Sequence, residues 1–101
     1  MNDNDKAPGV SVAGHARSYL EPLAEALRQR GFLARITRIG DGPNFVEVIN
    51  RDAPDLSESI FAAPAAGGWW FWWSWAQRIA PAADIEPAAD RIARVLASAA
   101  A

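Results

Sequence analysis

The side chains that most often carry out chemistry in proteins are few in this chain and widely spaced. It contains one histidine, His15, and no cysteine. Without a second histidine or a thiolate, His15 cannot complete a usual structural or catalytic zinc site. Ser57, Ser59 and Ser74 have no base partner other than the distant His15, which disfavours nucleophilic catalysis. We therefore predict that the chain is not an enzyme and that His15 is solvated or lies at a helix entry.

A group of polar side chains occupies one predicted loop and consists of Asn50, Asp52, Asp55 and Glu58. Crowded oxygen ligands could bind Ca²⁺, and a carboxylate pair could supply a general acid and base. The spacing differs from that of the twelve-residue calcium loop, and the segments GDG and AGG lack the spacing of phosphate-binding loops. We interpret the group as a polar connection and predict no metal and no cofactor.

A basic cluster lies near the middle of the sequence and consists of Arg28, Arg30, Arg35 and Arg38. Beside aromatic residues, such a cluster could contact phosphates while the rings stack on bases. The net charge of −2 disfavours nucleic acid as the main partner. Arg28 and Arg30 also suit the negative end of a helix.

The most unusual segment is GGWWFWWSWAQRI, residues 67–79, which holds all five tryptophans. Its aromatic content and flanking glycines favour a strand, predicted over 69–76. Side chains alternate between the two faces of a strand. One face would carry Trp69, Phe71, Trp73 and Trp75, and the other Trp70, Trp72, Ser74 and Ala76. A sheet covered by helices on one side normally has a polar opposite face, but this strand is apolar on both sides.

Hydrophobic periodicity and turn residues predict the elements that position this strand. In chain order they are a helix over 16–30, strands over 32–39, 45–51, 58–63 and 69–76, and a helix over 85–98. Short connections favour an antiparallel meander with both helices on one face. The predicted fold class is α+β, a four-stranded antiparallel meander with an N-terminal and a C-terminal helix. Residues 1–13 are predicted to form a disordered tail and 14–101 a single domain.

The turn between the first two strands sets which side chains share a face. A five-residue loop places Ala34, Ile36 and Arg38 with Val46 and Val48, and Arg35, Thr37 and Ile39 with Phe45, Glu47 and Ile49. A four-residue loop exchanges these partners. We favour the first register because it collects the β-branched residues on one side.

Three interpretations of the second apolar face remain open from the sequence. Loops or the N-terminal tail could cover it, a second copy of the chain could bind it, or it could form a groove for a ligand or peptide. We favour a small interaction or accessory domain that forms a homodimer, or binds another protein, through an aromatic sheet face. The alternative is a small-molecule or peptide binder that uses the same face. The smaller side chains of the even-numbered set favour the odd-numbered rings as the outer set. The candidate interface residues are Trp69, Phe71, Trp73, Trp75, Phe45, Ile49 and Arg35.

The N-terminal sequence MNDNDKAPGV lacks the architecture of a signal peptide, and no apolar run reaches the length of a membrane-spanning helix. We therefore expect a cytoplasmic protein that does not contact a membrane.

The tryptophan segment and the sequence that follows it resemble small uncharacterised bacterial proteins with a W-F-W-S-W-G pattern and an Ala-rich C-terminal helix. The matching residues include Phe71, Trp72, Trp73, Ser74 and Trp75, whereas Ala76 stands where the pattern has glycine; the match continues with Ile79, Asp84, Ile92, Val95 and Leu96. The segments VEVIN and LSESI also resemble these proteins, so the similarity covers about residues 20–97. It implies a compact domain and brings no activity, cofactor or catalytic residue.

Overall fold

A computed structural model describes residues 12–98 of the chain. Its elements are α1 (Val12–Gln29), β1 (Leu33–Thr37), β2 (Phe45–Ile49), β3 (Ser57–Ala65), β4 (Gly68–Trp73), β5 (Arg78–Pro81) and α2 (Ile85–Ser98). The α+β class, with an antiparallel sheet between an N-terminal and a C-terminal helix, is confirmed. The predicted number of strands is wrong, because the described residues form five. The predicted disordered tail lies outside the described residues, except for its last two residues, which belong to α1.

The sheet is a simple meander in which each strand pairs with the next along the chain. The strand order is β1-β2-β3-β4-β5, and every pair is antiparallel. Both helices contribute to one buried cluster with a single face of the sheet. The cluster includes Leu20, Leu23 and Leu27 from α1, Ile92 and Leu96 from α2, and Val46, Val48, Ile60 and Phe71 from the sheet. The molecule therefore has two layers, with helices on one side of the sheet.

Helix α1 ends where the sequence predicts, at a glycine that adopts a left-handed conformation. Gly31 has a φ of 94°, and its N–H donates to the carbonyl of Arg28 over 3.0 Å. The N–H of Phe32 donates to the carbonyl of Leu27 over 3.2 Å. These two bonds form a Schellman motif, which satisfies carbonyls that the end of the helix leaves unpaired. The motif turns the chain directly into β1.

The first hairpin has the favoured facial arrangement of side chains. Ala34 pairs with Val48 and Ile36 with Val46 on the side that faces the helices, while Arg35 pairs with Glu47 and Thr37 with Phe45 on the other side. The connection is longer than the predicted turn, because residues 38–44 separate the two strands. The pairing is shifted by two residues from the predicted one, and an even shift leaves each side chain on the same face. The prediction of which side chains share a face is therefore confirmed.

The strand that the sequence analysis missed, β5, follows a tight turn after the tryptophans. The predicted tryptophan strand ends at Trp73, three residues early, and the turn contains Ala76 with a φ of 66°. An irregularity in the β4–β5 register lies between Phe71 and Trp72. A bulge places two successive residues on one side of a strand, and here both Ile79 and Ala80 are buried. This segment has only four residues and ends in proline, so it lacks the alternation that predicts a strand.

Candidate interaction surface

The face of the sheet opposite the helices is rich in aromatic side chains. We call it the outer face and define it by the strand registers as Leu33, Arg35, Thr37, Phe45, Glu47, Ile49, Ser57, Ser59, Phe61, Ala63, Ala65, Trp70, Trp72, Arg78 and Pro81. Neither helix covers it, since both pack on the opposite side. Its rings are partly exposed, apart from Phe45, which is buried outside the main core cluster.

Three of these rings form a straight line across the middle strands, which we call the aromatic row: Phe45, Phe61 and Trp72. The ring centroids of Phe45 and Phe61 lie 5.1 Å apart. Phe61 pairs directly with Trp72 on the next strand. The indole Nε1 of Trp72 donates to the main-chain carbonyl of Ala63 over 3.2 Å. This bond holds the indole of Trp72 to the sheet, beside the two phenyl rings, whose planes are tilted by 38°.

One end of the aromatic row carries a positive charge. Arg78 pairs with Trp72 across β4 and β5, and its guanidinium carbon lies 4.6 Å from the centroid of the Trp70 ring. This is a cation–π contact. Arg78 forms no ion pair with a carboxylate in the part of the chain that the structure describes.

The opposite side of the outer face carries an ion pair beside aliphatic residues. Both Nε and Nη2 of Arg35 lie 3.2 Å from Oε1 of Glu47. Leu33 is 49% exposed nearby, and Ile49 is its cross-strand partner. Together with Ala34, these residues line a shallow depression of about 390 Å³.

The expectation that the odd-numbered rings point outward is wrong. Phe71 is 0% exposed and Trp73 is 5% exposed, and both belong to the core. Trp69 packs against the same core and contacts Tyr19 of α1, with ring centroids 5.4 Å apart. The physical reason is volume. Half of the ten helix residues in the buried cluster are alanine, including Ala24 and Ala88, so larger rings from the sheet help to fill the space between the layers.

The fourth odd-numbered ring, Trp75, lies beyond the end of β4. It is 51% exposed and stacks on Trp73 with ring centroids 4.8 Å apart and an interplanar angle of 6°. Its Nε1 donates to Oε1 of Gln77 over 2.9 Å. Of the predicted interface residues, the structure therefore places Phe45, Ile49 and Arg35 on the outer face. Trp70 and Trp72 are not among the candidate interface residues predicted from the sequence. The many alanines of the helices were a signal that the odd-numbered rings fill the core and that Trp70 and Trp72 face outward.

The two edges of the sheet are each contacted by an arginine from a helix. On β1, Nε of Arg28 donates to the carbonyl of Ala34 over 2.8 Å. On β5, Nη1 of Arg91 donates to the carbonyl of Ile79 over 2.5 Å. Free main-chain groups on an edge strand are what allow another strand to pair with it. These contacts occupy one carbonyl on each edge, and Pro81 removes a donor from β5.

The polar loop that was considered for a metal has a structural arrangement around a buried Asn50. Its Nδ2 donates to the carbonyl of Leu96 over 3.0 Å, at the C-terminal end of α2. Its Oδ1 accepts from the N–H groups of Asp52 and Ala53 over 2.8 and 3.2 Å. Within residues 12–98, no group of three His, Cys, Asp or Glu side chains could hold a metal ion. Asn50 therefore links the loop to α2.

His15 and the basic cluster also make specific contacts within the fold. The His15 ring lies 5.9 Å from that of Trp69. Arg30 joins the two helices, with Nη2 at 2.7 Å from Glu86 and 2.8 Å from Asp90. The hydrogen bonds that Arg30 donates to Glu86, and then those to Asp90, raise the pKa of Arg30 above its ordinary value. Arg28 pairs with Glu25 and Arg35 with Glu47, so three of the four arginines in the basic cluster have a carboxylate partner.

Comparisons with known proteins add no relative. No protein-family model, no curated protein and no solved structure matches the chain. The resemblance of the tryptophan segment to small bacterial proteins therefore stays a prediction. Neither described helix is long and apolar enough to cross a membrane. The geometry of the outer face is thus the main guide to function.

Proposed function

We propose that this chain is a non-enzymatic interaction domain that associates with a second copy of itself through the outer face. The observation that carries the proposal is the aromatic row on the side of the sheet that has no helix. A one-sided antiparallel sheet normally presents polar side chains to water, and here Phe61 and Trp72 occupy those positions. Apolar patches of this kind mark interaction sites in small proteins.

Two features favour a second copy that stacks on the face over one that extends the sheet. The edge strands are contacted by Arg28 and Arg91, which oppose the addition of another strand at β1 or β5. The aromatic row lies on the face of the sheet and not at its edge, since its residues belong to the three middle strands, and the indole of Trp72 is hydrogen-bonded to the sheet. Flat faces of two sheets pack at a separation of about 10 Å with interdigitated side chains.

Sedimentation of the full chain over nanomolar to high micromolar concentrations tests the proposal. We expect a reversible monomer–dimer equilibrium. Phe61→Ser should weaken it by about tenfold or more, because a central ring of an interface is removed. Trp75→Ser is the matched control, since Trp75 is exposed but lies outside the outer face. Circular dichroism should show that both variants stay folded.

Two results would contradict self-association through this face. The first is a wild-type chain that remains monomeric at every concentration. The second is a folded Phe61→Ser variant that associates as strongly as the wild type. A dimer that is broken by Trp75→Ser and not by Phe61→Ser would move the interface to the β4–β5 turn.

A second candidate function, binding of a small molecule or peptide at the same face, is favoured by the depression of about 390 Å³ beside Leu33 and Ile49. Its volume falls within the range of ligand pockets. Tryptophan fluorescence separates the two functions, because Trp70 and Trp72 lie on the outer face. Self-association changes the emission with protein concentration alone. A binder changes its emission only when a candidate ligand or peptide is added.

A further inference from the structure

The charges of the outer face are distributed unequally between its two sides. Within the described residues, its charged side chains are Arg35 on β1, Glu47 on β2 and Arg78 on β5. Arg35 uses only Oε1 of Glu47, so Oε2 accepts no hydrogen bond from the described residues. Arg78 has a ring contact but no carboxylate partner among residues 12–98. Within the described residues, one side of the face therefore carries Oε2 of Glu47, which accepts no hydrogen bond, and the other side carries the guanidinium of Arg78, which has no carboxylate partner.

Symmetry limits how two such faces can meet. In a two-fold dimer, residue i of one copy contacts residue j of the other, and j contacts i. In the aligned class of sheet packing, the strands of the two sheets lie within about 30° of each other. The axis then lies between the sheets and runs either along the strands or across them. An axis across the strands places each strand over its own copy, whereas an axis along β3 places β5 over β1 and β4 over β2.

The charges distinguish these two arrangements. With an axis across the strands along the aromatic row, the unpaired Arg78 of one copy lies over Arg78 of the other, and like charges repel. With an axis along β3, Arg78 lies over Thr37 of the other copy. Arg35 is two residues from Thr37 on the same strand, but it is already paired with Glu47, so Arg78 meets an ion pair and not an unpaired cation. Glu47 is a diagonal neighbour of Thr37, because Thr37 pairs with Phe45 and Glu47 is two residues further along the strand. Long side chains reach such a diagonal position.

We propose that the dimer axis runs along β3, so that Arg78 of each copy contacts Glu47 of the other copy. This inference rests on the proposed function. The arrangement places Phe61 against Phe61 and Trp72 against Phe45 of the second copy. The aromatic row is then covered along its whole length, and an Arg78–Glu47 contact between the two copies lies at each end of it.

A charge exchange between two variants tests this orientation. Arg78→Glu alone places two carboxylates together at both contacts, and Glu47→Lys alone places two cations together. We expect each variant to dimerise about tenfold more weakly than the wild type. In an equimolar mixture, the two substituted side chains attract each other, and the unchanged Glu47 of one variant meets the unchanged Arg78 of the other. The mixture should recover the affinity of the wild type to within about threefold.

The measurement is sedimentation with fluorescence detection, with only the Arg78→Glu variant labelled. Glu47→Lys also opposes Arg35 of its own chain, but this repulsion is present in the single variant and in the mixture and cancels in the comparison. Should either charge reversal unfold the chain, Glu47→Gln and Arg78→Gln replace it. Each should weaken the dimer, and their combination should weaken it no further than either alone.

The outcomes separate this inference from the proposed function. A wild-type chain that never dimerises contradicts both. A wild-type dimer whose variants show no recovery on mixing contradicts only the orientation. Pairing of the labelled Arg78→Glu variant with the wild type as tightly as with Glu47→Lys would overturn the proposal, because both partners keep Arg78 and the axis across the strands therefore does not distinguish them.

Discussion

The turn between β4 and β5 allows a quantitative test, because Ala76 is held in the left-handed region with a φ of 66°. This conformation costs an L-residue about 1–2 kcal/mol. Glycine does not have this cost, but it loses about 0.5–1 kcal/mol more backbone entropy on folding. The Ala76 side chain is exposed, so little packing is lost with its methyl group. Ala76→Gly should therefore raise the free energy of unfolding by about 0.5–1 kcal/mol.

The assay is thermal and urea unfolding at one fixed protein concentration, because self-association would make the midpoint depend on concentration. The expected increase in Tm is about 3–6 °C for a domain of this size. Ala66→Gly is the matched control, since Ala66 is also exposed in a turn but is not in the left-handed region. It should lower the free energy of unfolding by up to about 1 kcal/mol. If Ala76→Gly is as destabilising as Ala66→Gly, the conformation of the turn is not as described.

Two further substitutions test the assignment of the sheet faces and of the polar loop. Phe71→Ala should lower the free energy of unfolding by about 3–5 kcal/mol because the ring is fully buried, while Phe61→Ala, measured where the chain is monomeric, should cost less than half as much. Asn50→Ala should lower it by about 1–3 kcal/mol, because the carbonyl of Leu96 loses its donor; the exposed Asp52→Ala should change it by less than about 0.5 kcal/mol. Urea unfolding measures these changes. If Phe71→Ala and Phe61→Ala, or Asn50→Ala and Asp52→Ala, lower the free energy of unfolding equally, the difference in burial within that pair is contradicted.

Local signals were sufficient for much of the fold. The final helix lies at the predicted residues 85–98, since its apolar stripe is continuous and its start is marked by Asp84 and Pro87. Gly31 ends the first helix as predicted, because only a left-handed residue allows the Schellman bonds. The first hairpin has the expected division of faces because one register collects the β-branched side chains.

Features that depend on tertiary packing could not be predicted in the same way. β5 is recognisable as a strand only through its pairing with β4, since a bulge makes Ile79 and Ala80 face the same side. The orientation of the tryptophan strand depends on the space under the helices. Alanine-rich helices leave room for Phe71 and Trp73, so the larger set of rings is in the core. Reasoning from the size of the rings alone gives the opposite answer.

The arginine contacts at the two sheet edges have a consequence for the integrity of the protein at high concentration. Arg28 and Arg91 belong to helices, so their hydrogen bonds to the carbonyls of β1 and β5 persist only while those helices remain packed on the sheet. Detachment of either helix would expose a strand edge together with the core rings beneath it, which is the combination that seeds amyloid growth. We therefore expect docking of the helices to limit strand addition at the two edges in addition to covering the core.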